Sequence, residues 1–431
     1  MPSQTSTDSV CLPDILLSLS NAMDLMHPSF VKHHSYVAYI TYRIADVLGY
    51  TQNSLKDLVL AALLHDIGAF SERERLELLS FDDNLPEVHN HSEIGYQLLK
   101  DFTPLATAAH YIRFHHYTWN SPIIKDGQNI VMPVESSIIH LADRVAVSIT
   151  KDKNILRQAS EIRKLVSANK LNFDPKVVNA FIYVSFNEEF WFNTLHEPIS
   201  SVFCSGLGFE SITFDSTEFD ALVRLFRRII DFRNAFTAIH SSGVGATASA
   251  IAKLAGFDSL SARVLKYAGQ LHDLGKIAIP VEIIQKPTRL TPSEHSLLRI
   301  HPYHTSHILS PIKPLSQVRI WASQHHERID GSGYPWHISG SSLSTGSRII
   351  AIADIFTALT ENRPYRHGSS LKQALKILNN MMQEASIDPD LCPILFDNME
   401  EVDYARSQTQ TAALREYQAF NDQLLANIVK S

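Results

Sequence analysis

The chain has 431 residues, 45% of them hydrophobic, and carries 38 Lys and Arg against 45 Asp and Glu, for a formal charge of −7. That length predicts two or three folded cores, and the composition excludes a largely disordered or collagen-like chain. The acidic balance without a long basic run argues against a nucleic-acid polymer as partner.

The longest apolar runs, 58–64 and 349–355, fall far short of the ~20 residues of a membrane span. The N-terminal stretch lacks the basic opening of a secretory signal, so a cytoplasmic protein with no membrane contact is expected. Cys11, Cys204 and Cys392 lie far apart with no C-x-x-C spacing, which suggests neither a disulfide framework nor a thiolate zinc site.

In chain order, Ile40, Ile44, Val47 and Leu48 recur at helical spacing, and His65-Asp66-Ile67-Gly68 follows. His91, His115-His116 and Asp143 come next, then Phe173-Asp174-Pro175. The Gly/Ser/Pro-containing stretch from Glu197 to Thr217 reads as a connection, with Asp215 or Thr217 capping a long helix expected over about Glu218 to Ala238. Beyond it Ile251, Leu254 and Ala255 keep the helical period. Thr291-Pro292-Ser293-Glu294 reads as a capping box with proline at the first helical position. Alternating β-branched runs are scarce. The expected fold class is all-α, as two tandem helical bundles: a first domain at 15–195, a linker at 196–219 and a second domain at 220–425.

The two halves repeat one pattern. The segment beginning at His33 aligns without gaps on the segment beginning at His240, and the same offset lays His65-Asp66-Ile67-Gly68 on His272-Asp273-Leu274-Gly275. Small slips then lay His91 on His301, His115-His116 on His325-His326 and Asp143 on Asp354. Among 21 histidines, a lone one reads as a surface or core residue. A set kept in matching order while most residues between them changed reads as a site.

These are nitrogen and oxygen donors without thiolate, a set suited to iron, manganese, nickel or zinc. They outnumber the ligands of one tetrahedral ion. Neighbouring residues on a helix point ~100° apart, so a His-Asp doublet sends its histidine to one ion and lets its carboxylate bridge to a second. Two ions ~3.5–4 Å apart clamp a phosphoryl centre.

The second half resembles the HD-GYP family of cyclic-dinucleotide phosphodiesterases, a branch of the HD phosphohydrolases. The resemblance rests on His272-Asp273-Leu274-Gly275-Lys276, His325-His326-Glu327-Arg328-Ile329-Asp330-Gly331-Ser332-Gly333-Tyr334-Pro335 and Asn362-Arg363-Pro364-Tyr365-Arg366. It extends through Lys286-Pro287, His301-Pro302 and Ala353-Asp354, over roughly 230 to 400. The first half resembles a plain HD domain: Tyr117-Thr118-Trp119-Asn120 follows its His-His pair, with no GYP sequence, and Ala69 stands where the second half has Lys276.

The resemblance implies two HD-type bundles, with a short GYP loop in the second, in a bacterial second-messenger enzyme. It implies two divalent transition-metal ions held by His240, His272, Asp273, His301, His325, His326 and Asp354, with Asp273 bridging. It further implies hydrolysis of cyclic di-GMP or 3′3′-cyclic GMP-AMP to a linear 5′-phosphorylated dinucleotide.

Lys276, Gly333, Tyr334, Pro335, Arg363 and Arg366 are the implied substrate contacts, and Lys276 and Asp273 the catalytic pair. Each has a plainer alternative: a solvated lysine, a structural turn, arginines paired with acidic neighbours. A general nucleotide phosphohydrolase and a non-catalytic module that binds a cyclic dinucleotide or a diguanylate-cyclase-type partner are the rival functions. In the first half a regulatory or structural domain is expected ahead of a second phosphohydrolase site, with His33, His65, Asp66, His91, His115, His116 and Asp143 as a possible second metal site, and with His34 and His89 close enough to blur the assignment.

Some family members carry a glutamate one turn before the first histidine and bind a third metal. Phe236 stands there in this chain, which favours a two-metal site. Thr357 replaces an aspartate common in relatives, which leaves carboxylate support of a ligand in doubt, and Thr305 replaces a usual glycine, which would narrow the pocket. His304 and His307 read as helix-surface residues.

Overall fold

The protein is described by a computed structural model covering residues 12–25, 31–71, 74, 81, 88–125, 128–150, 153–196, 199, 207, 215–233, 235–361 and 367–428. The chain divides into two compact units, Cys11–Ile212 with Phe420–Ser431, and Thr213–Ala419 with the first ten residues. The linker expected at 196–219 falls largely outside the described residues.

The first unit contains helices α1 (Leu12–Asp24), α2 (His33–Val47), α3 (Gln52–Leu64), α4 (Val88–Leu99) and α5 (Ala106–Arg113). A short hairpin follows, β1 (Ile123–Lys125) and β2 (Gln128–Ile130), and then α6 (Val134–Val147), α7 (Ile155–Ala168), α8 (Pro175–Ser185) and α9 (Glu188–His196). Helix α2 packs between α3 and α6. Ile40, Ile44, Leu58, Leu63, Ile138 and Leu141 are all fully buried there. The hairpin is a small addition to an otherwise helical fold, and the all-α class expected from the sequence holds. It pairs Ile123 with Ile130 in antiparallel register, and buried Ile123 joins Phe114 and Met132 in a small satellite core with Trp119 and Tyr117. Two apolar residues suffice for so short a ladder, and no alternating run announces it.

The second unit repeats this order. It contains α10 (Ser216–Asp231), α11 (Ala235–Leu254), α12 (Ser259–Leu271), α13 (Val281–Ile284), α14 (Pro292–Leu298), α15 (His301–Leu309) and α16 (Ser316–Ser323). It continues with α17 (Thr345–Thr360), α18 (Leu371–Gln383), α19 (Leu391–Asp397) and the start of α20 (Met399–Ile428). Helix α11 packs on α12 and α17 as α2 does on α3 and α6. The duplicated helices also share their end signals. Gly49 and Gly256 stop α2 and α11 at positive φ (77° and 83°), and Thr51 and Asp258 cap α3 and α12 by accepting the N–H of Ser54 and Ser261.

Asp215, one of the two caps read from the sequence, caps α10 in a reciprocal box with Glu218, and Thr291 forms with Glu294 the box read for α14. The single long helix expected over 218–238 is instead two. Helix α10 ends at Asp231, whose carbonyl accepts the Thr237 hydroxyl (2.8 Å), while Gln285 donates to the Arg233 carbonyl (3.1 Å). Side chains satisfy carbonyls that a continuous helix would have used, so the break is stabilised by groups the helical period does not reveal. Among the described residues, no helix is long and apolar enough to cross a membrane.

Candidate metal centre

The His-Asp doublet of the second unit closes α12. His272 is its C-cap, and a short 3-10 turn, Leu274–Ala278, carries the chain away. This turn lies tight against the start of α15: a Cβ on Gly275 would sit 2.0 Å from the His301 carbonyl oxygen, so only glycine fits. The same approach recurs in the first unit, where a Cβ on Gly68 would sit 2.1 Å from the His91 carbonyl oxygen. The HD-x-G spacing therefore brings the doublet and the next histidine together.

Asp273 stands between two groups of imidazoles. Its Oδ2 lies 3.2 Å from Nε2 of His272, and its Oδ1 lies 3.3 Å from Nε2 of His301 and 3.9 Å from that of His325. Nε2 of His240 faces Asp354 Oδ1 at 3.2 Å. The donor atoms gather into overlapping groups suited to a cation: His240, His272 and Asp273; His272, His325 and Asp354; His301, His325 and His326. All of the sequence-predicted ligands of this half thus converge.

The inward nitrogens are preset. His272, His301 and His325 each direct Nδ1 at a carbonyl three residues back, Gly269 (2.8 Å), Leu298 (2.7 Å) and Ala322 (2.7 Å), which leaves Nε2 for the cluster. Burial would raise the Asp273 carboxyl, but His272 and Lys276 outweigh it and hold the group well below the ordinary carboxylate range. Burial pushes His301 and His325 well below the usual imidazole value, and His326 down to about 4. Ionised carboxylates among neutral imidazoles are what a divalent ion requires. His240 is the exception: against the cost of burial, Glu361 and Asp354 lift it to about 10.

Lys276 reaches the cluster, with Nζ 2.6 Å from Asp273 Oδ2 and its side chain one-fifth exposed. The GYP loop forms its rim. Tyr334 lays its ring on His326 (centroids 4.7 Å apart), and the guanidinium of Arg299, a residue the sequence reading did not single out, stands 4.5 Å from the Tyr334 ring centroid. A Cβ on Gly333 would sit 2.4 Å from the Glu327 Cα, so this position too requires glycine. The Tyr334-Pro335 peptide is cis. Buried Glu327, also missed, anchors the loop by accepting the N–H of Trp336 (2.8 Å) and of Ile338 (3.0 Å).

Arg363 and Arg366 lie outside the described residues, as does the side chain of Phe236. Thr305 is fully buried; its hydroxyl accepts the Gly275 N–H (2.9 Å) and donates to the His272 carbonyl (3.0 Å), so it braces the HD turn. Thr357 faces Thr247, hydroxyl to hydroxyl at 3.3 Å. His304 and His307 join none of the clusters among the described residues.

The first unit builds the same constellation. Asp66 Oδ2 lies 3.3 Å from His65 Nε2, its Oδ1 lies 3.3 Å from His91 Nε2, and His33 Nε2 meets Asp143 Oδ1 at 3.2 Å. Donors group as His33, His65 and Asp143, and as Asp66, His91, His115 and His116. His34 turns away to hydrogen-bond Asp24, which removes it from the set; the side chain of His89 is outside the described residues. The surroundings differ. A buried guanidinium, Arg144, sits 2.5 Å from Asp143 Oδ2, where the second unit has Ile355 beside Asp354.

Profiles described as HD domain match residues 30–148 and 224–391. This chain is a tandem HD-domain protein. Across 94% of its length it is 28% identical to 3′3′-cGAMP-specific phosphodiesterase 1 of Vibrio cholerae, covering 96% of that protein. It is 26% identical to 3′3′-cGAMP-specific phosphodiesterase 3 of the same organism, over 88% of this chain and 92% of the relative. The cyclic di-GMP phosphodiesterase response regulator RpfG of Xanthomonas campestris is 32% identical over 47% of the chain, which covers 53% of that protein. The tandem HD fold also matches a crystal structure of a cyclic GMP-AMP specific phosphodiesterase of V. cholerae, with a TM-score of 0.62 at 22% identity, over 91% of this chain and 98% of that one.

Proposed function

We propose that the second HD domain, at about 220–425, is a metal-dependent phosphodiesterase that opens a cyclic dinucleotide, with 3′3′-cyclic GMP-AMP as the preferred substrate. The observation that carries the reading is Asp273, with one carboxylate oxygen facing His272 and the other facing His301 and His325. The preference rests on length: the relatives matched over nearly the whole chain are those named for 3′3′-cGAMP, whereas RpfG matches about half of it.

His240, His272, Asp273, His301, His325, His326 and Asp354 would hold two divalent ions, which when bound supply Lewis-acid polarisation of the phosphoryl oxygens and activation of water. Iron, manganese, nickel and zinc all suit these donors. Water adds to phosphorus, the bond to the ribose 3′ oxygen breaks, and that oxygen leaves with a proton. The product is a linear 5′-phosphorylated dinucleotide. Lys276 binds a non-bridging phosphate oxygen beside Asp273, worth more in this partly dry site than in water. The loop of Gly333, Tyr334 and Pro335 shapes the rim, and Arg299, Arg363 and Arg366 are the cations for the second phosphate or a base.

The first domain, at about 15–195, has the donors for ions of its own. It lacks the lysine and the GYP loop, so its role is regulatory or structural.

The test offers metal-loaded full-length protein each cyclic dinucleotide and separates the products by chromatography. Ring-opened product from 3′3′-cyclic GMP-AMP ahead of cyclic di-GMP is expected. Faster opening of cyclic di-GMP overturns the preference, and turnover only of nucleoside triphosphates makes the chain a general nucleotide phosphohydrolase.

A further inference from the structure

His240 differs from the other imidazoles of its cluster in where it stands on the backbone. His272, His301 and His325 lie at helix ends, within reach of last-turn carbonyls left free by the helical ladder. His240 lies inside α11, where the nearby carbonyls are committed to that ladder. Its outer nitrogen therefore needs a side-chain acceptor. Glu361, 5% exposed at the C-cap of α17, provides one, with both carboxylate oxygens 3.1 Å from His240 Nδ1.

Glu361 is itself held. Gln410 of α20 donates Nε2 to Glu361 Oε2 at 3.3 Å, Arg406 donates Nη1 to the side-chain Oε1 of Gln410, and Asp403 accepts Nε and Nη2 of Arg406 at 2.9 and 2.7 Å. Arg406 and Gln410 are 7% and 8% exposed. The Gln410 amide occupies space opened by Gly243, where a Cβ would stand 2.6 Å from its Nε2. An unbroken chain of polar contacts thus runs from His240 to α20.

We infer that Glu361 is the positioning residue of His240, with Gln410 and Arg406 of α20 as its support. Accepting the Nδ1 proton fixes the ring in the tautomer whose Nε2 lone pair points at Asp354 and the cluster. The carboxylate also raises the basicity of that nitrogen. The inference rests on the metal-dependent reading above.

The experiment titrates manganese(II) into metal-free full-length wild type, Glu361→Gln and Gln410→Ala, against a chromophoric chelator. Melting of each metal-free protein is recorded alongside. In Glu361→Gln, one ion per chain is expected to bind about 10–100-fold more weakly, the range for loss of an outer partner of a ligating histidine, while the metal-free protein still melts in a single cooperative transition. Gln410→Ala keeps the carboxylate and loses its tether, so a smaller loss in the same direction is expected. Should Glu361→Gln not fold, Glu361→Asp takes its place with the same expectation. Wild-type affinity in the Glu361 variant overturns the inference alone. A wild-type chain that binds no manganese overturns both this and the metal-dependent reading.

Discussion

Lys276 and Asp231 make opposite demands on charge at the level of single residues. Lys276 places its ammonium 2.6 Å from Asp273 at a partly open edge of the cluster, where the phosphate oxygen of the proposed substrate would join it. Lys276→Met is expected to lower kcat/KM by roughly 10²–10³-fold, the cost of one preorganised donor, without loss of bound metal. Equal loss in kcat and metal content would make the lysine a structural counter-ion.

Asp231 is fully buried, accepts the Ser241 hydroxyl at 2.6 Å and lies 3.6 Å from Arg227. Burial, opposed by Arg227 and Ser241, pushes its carboxyl up to about 7. Between about pH 4 and 7 the folded state then keeps a proton that the unfolded state has released, so this group makes stability fall as pH rises. At about 1.4 kcal/mol per pKa unit, the effect is at most on the order of 4 kcal/mol. Asp231→Asn does not titrate. Its melting point relative to wild type, in chelator, should therefore rise from pH 4.5 to 7.5, and parallel curves would show that Asp231 is ionised throughout. The duplicated order of His and Asp made the cluster legible. Glu361 and Glu327 were not, because a glutamate beside a loop reads as a solvated charge until its partners are in place.

The elements place those residues through close backbone contacts. Gly333 has no room for a Cβ beside Glu327 and His326, so Gly333→Ala must move backbone. A loss of about 1–3 kcal/mol is expected, the ordinary cost of overpacking, together with a disordered Tyr334. An unshifted melting curve would show that the loop yields freely. Caps at this scale were readable: Asp215 and Thr291 act through local hydrogen bonds that the sequence encodes directly, whereas the glycines that stop two helices at 49 and 256 were not singled out. The break after Asp231 and the 123–130 hairpin were not. The first depends on Gln285 and Thr237 reaching back from later residues, the second on Phe114 and Met132 supplying a floor.

Across the whole molecule, one helical plan appears twice with different furnishings. The shared plan accounts for Asp66 and Asp273 each setting their two oxygens toward different imidazoles. The differences, Ala69 for Lys276, Arg144 beside Asp143 and the missing GYP loop, are where the proposed reading would separate ion binding from turnover. If each half holds a pair, the loaded chain carries about four ions, and Asp66→Ala loses the two of the first half. A loaded wild type with two ions that Asp66→Ala leaves in place would make the first half metal-free.

The bridging role of Asp273 underlies the whole proposal, and metal content tests it most directly. Elemental analysis of full-length wild type and Asp273→Ala, each loaded and then freed of excess ion, should show both second-half ions lost through that one substitution. Loss of one ion, or of none, would contradict a shared carboxylate at the centre of the site.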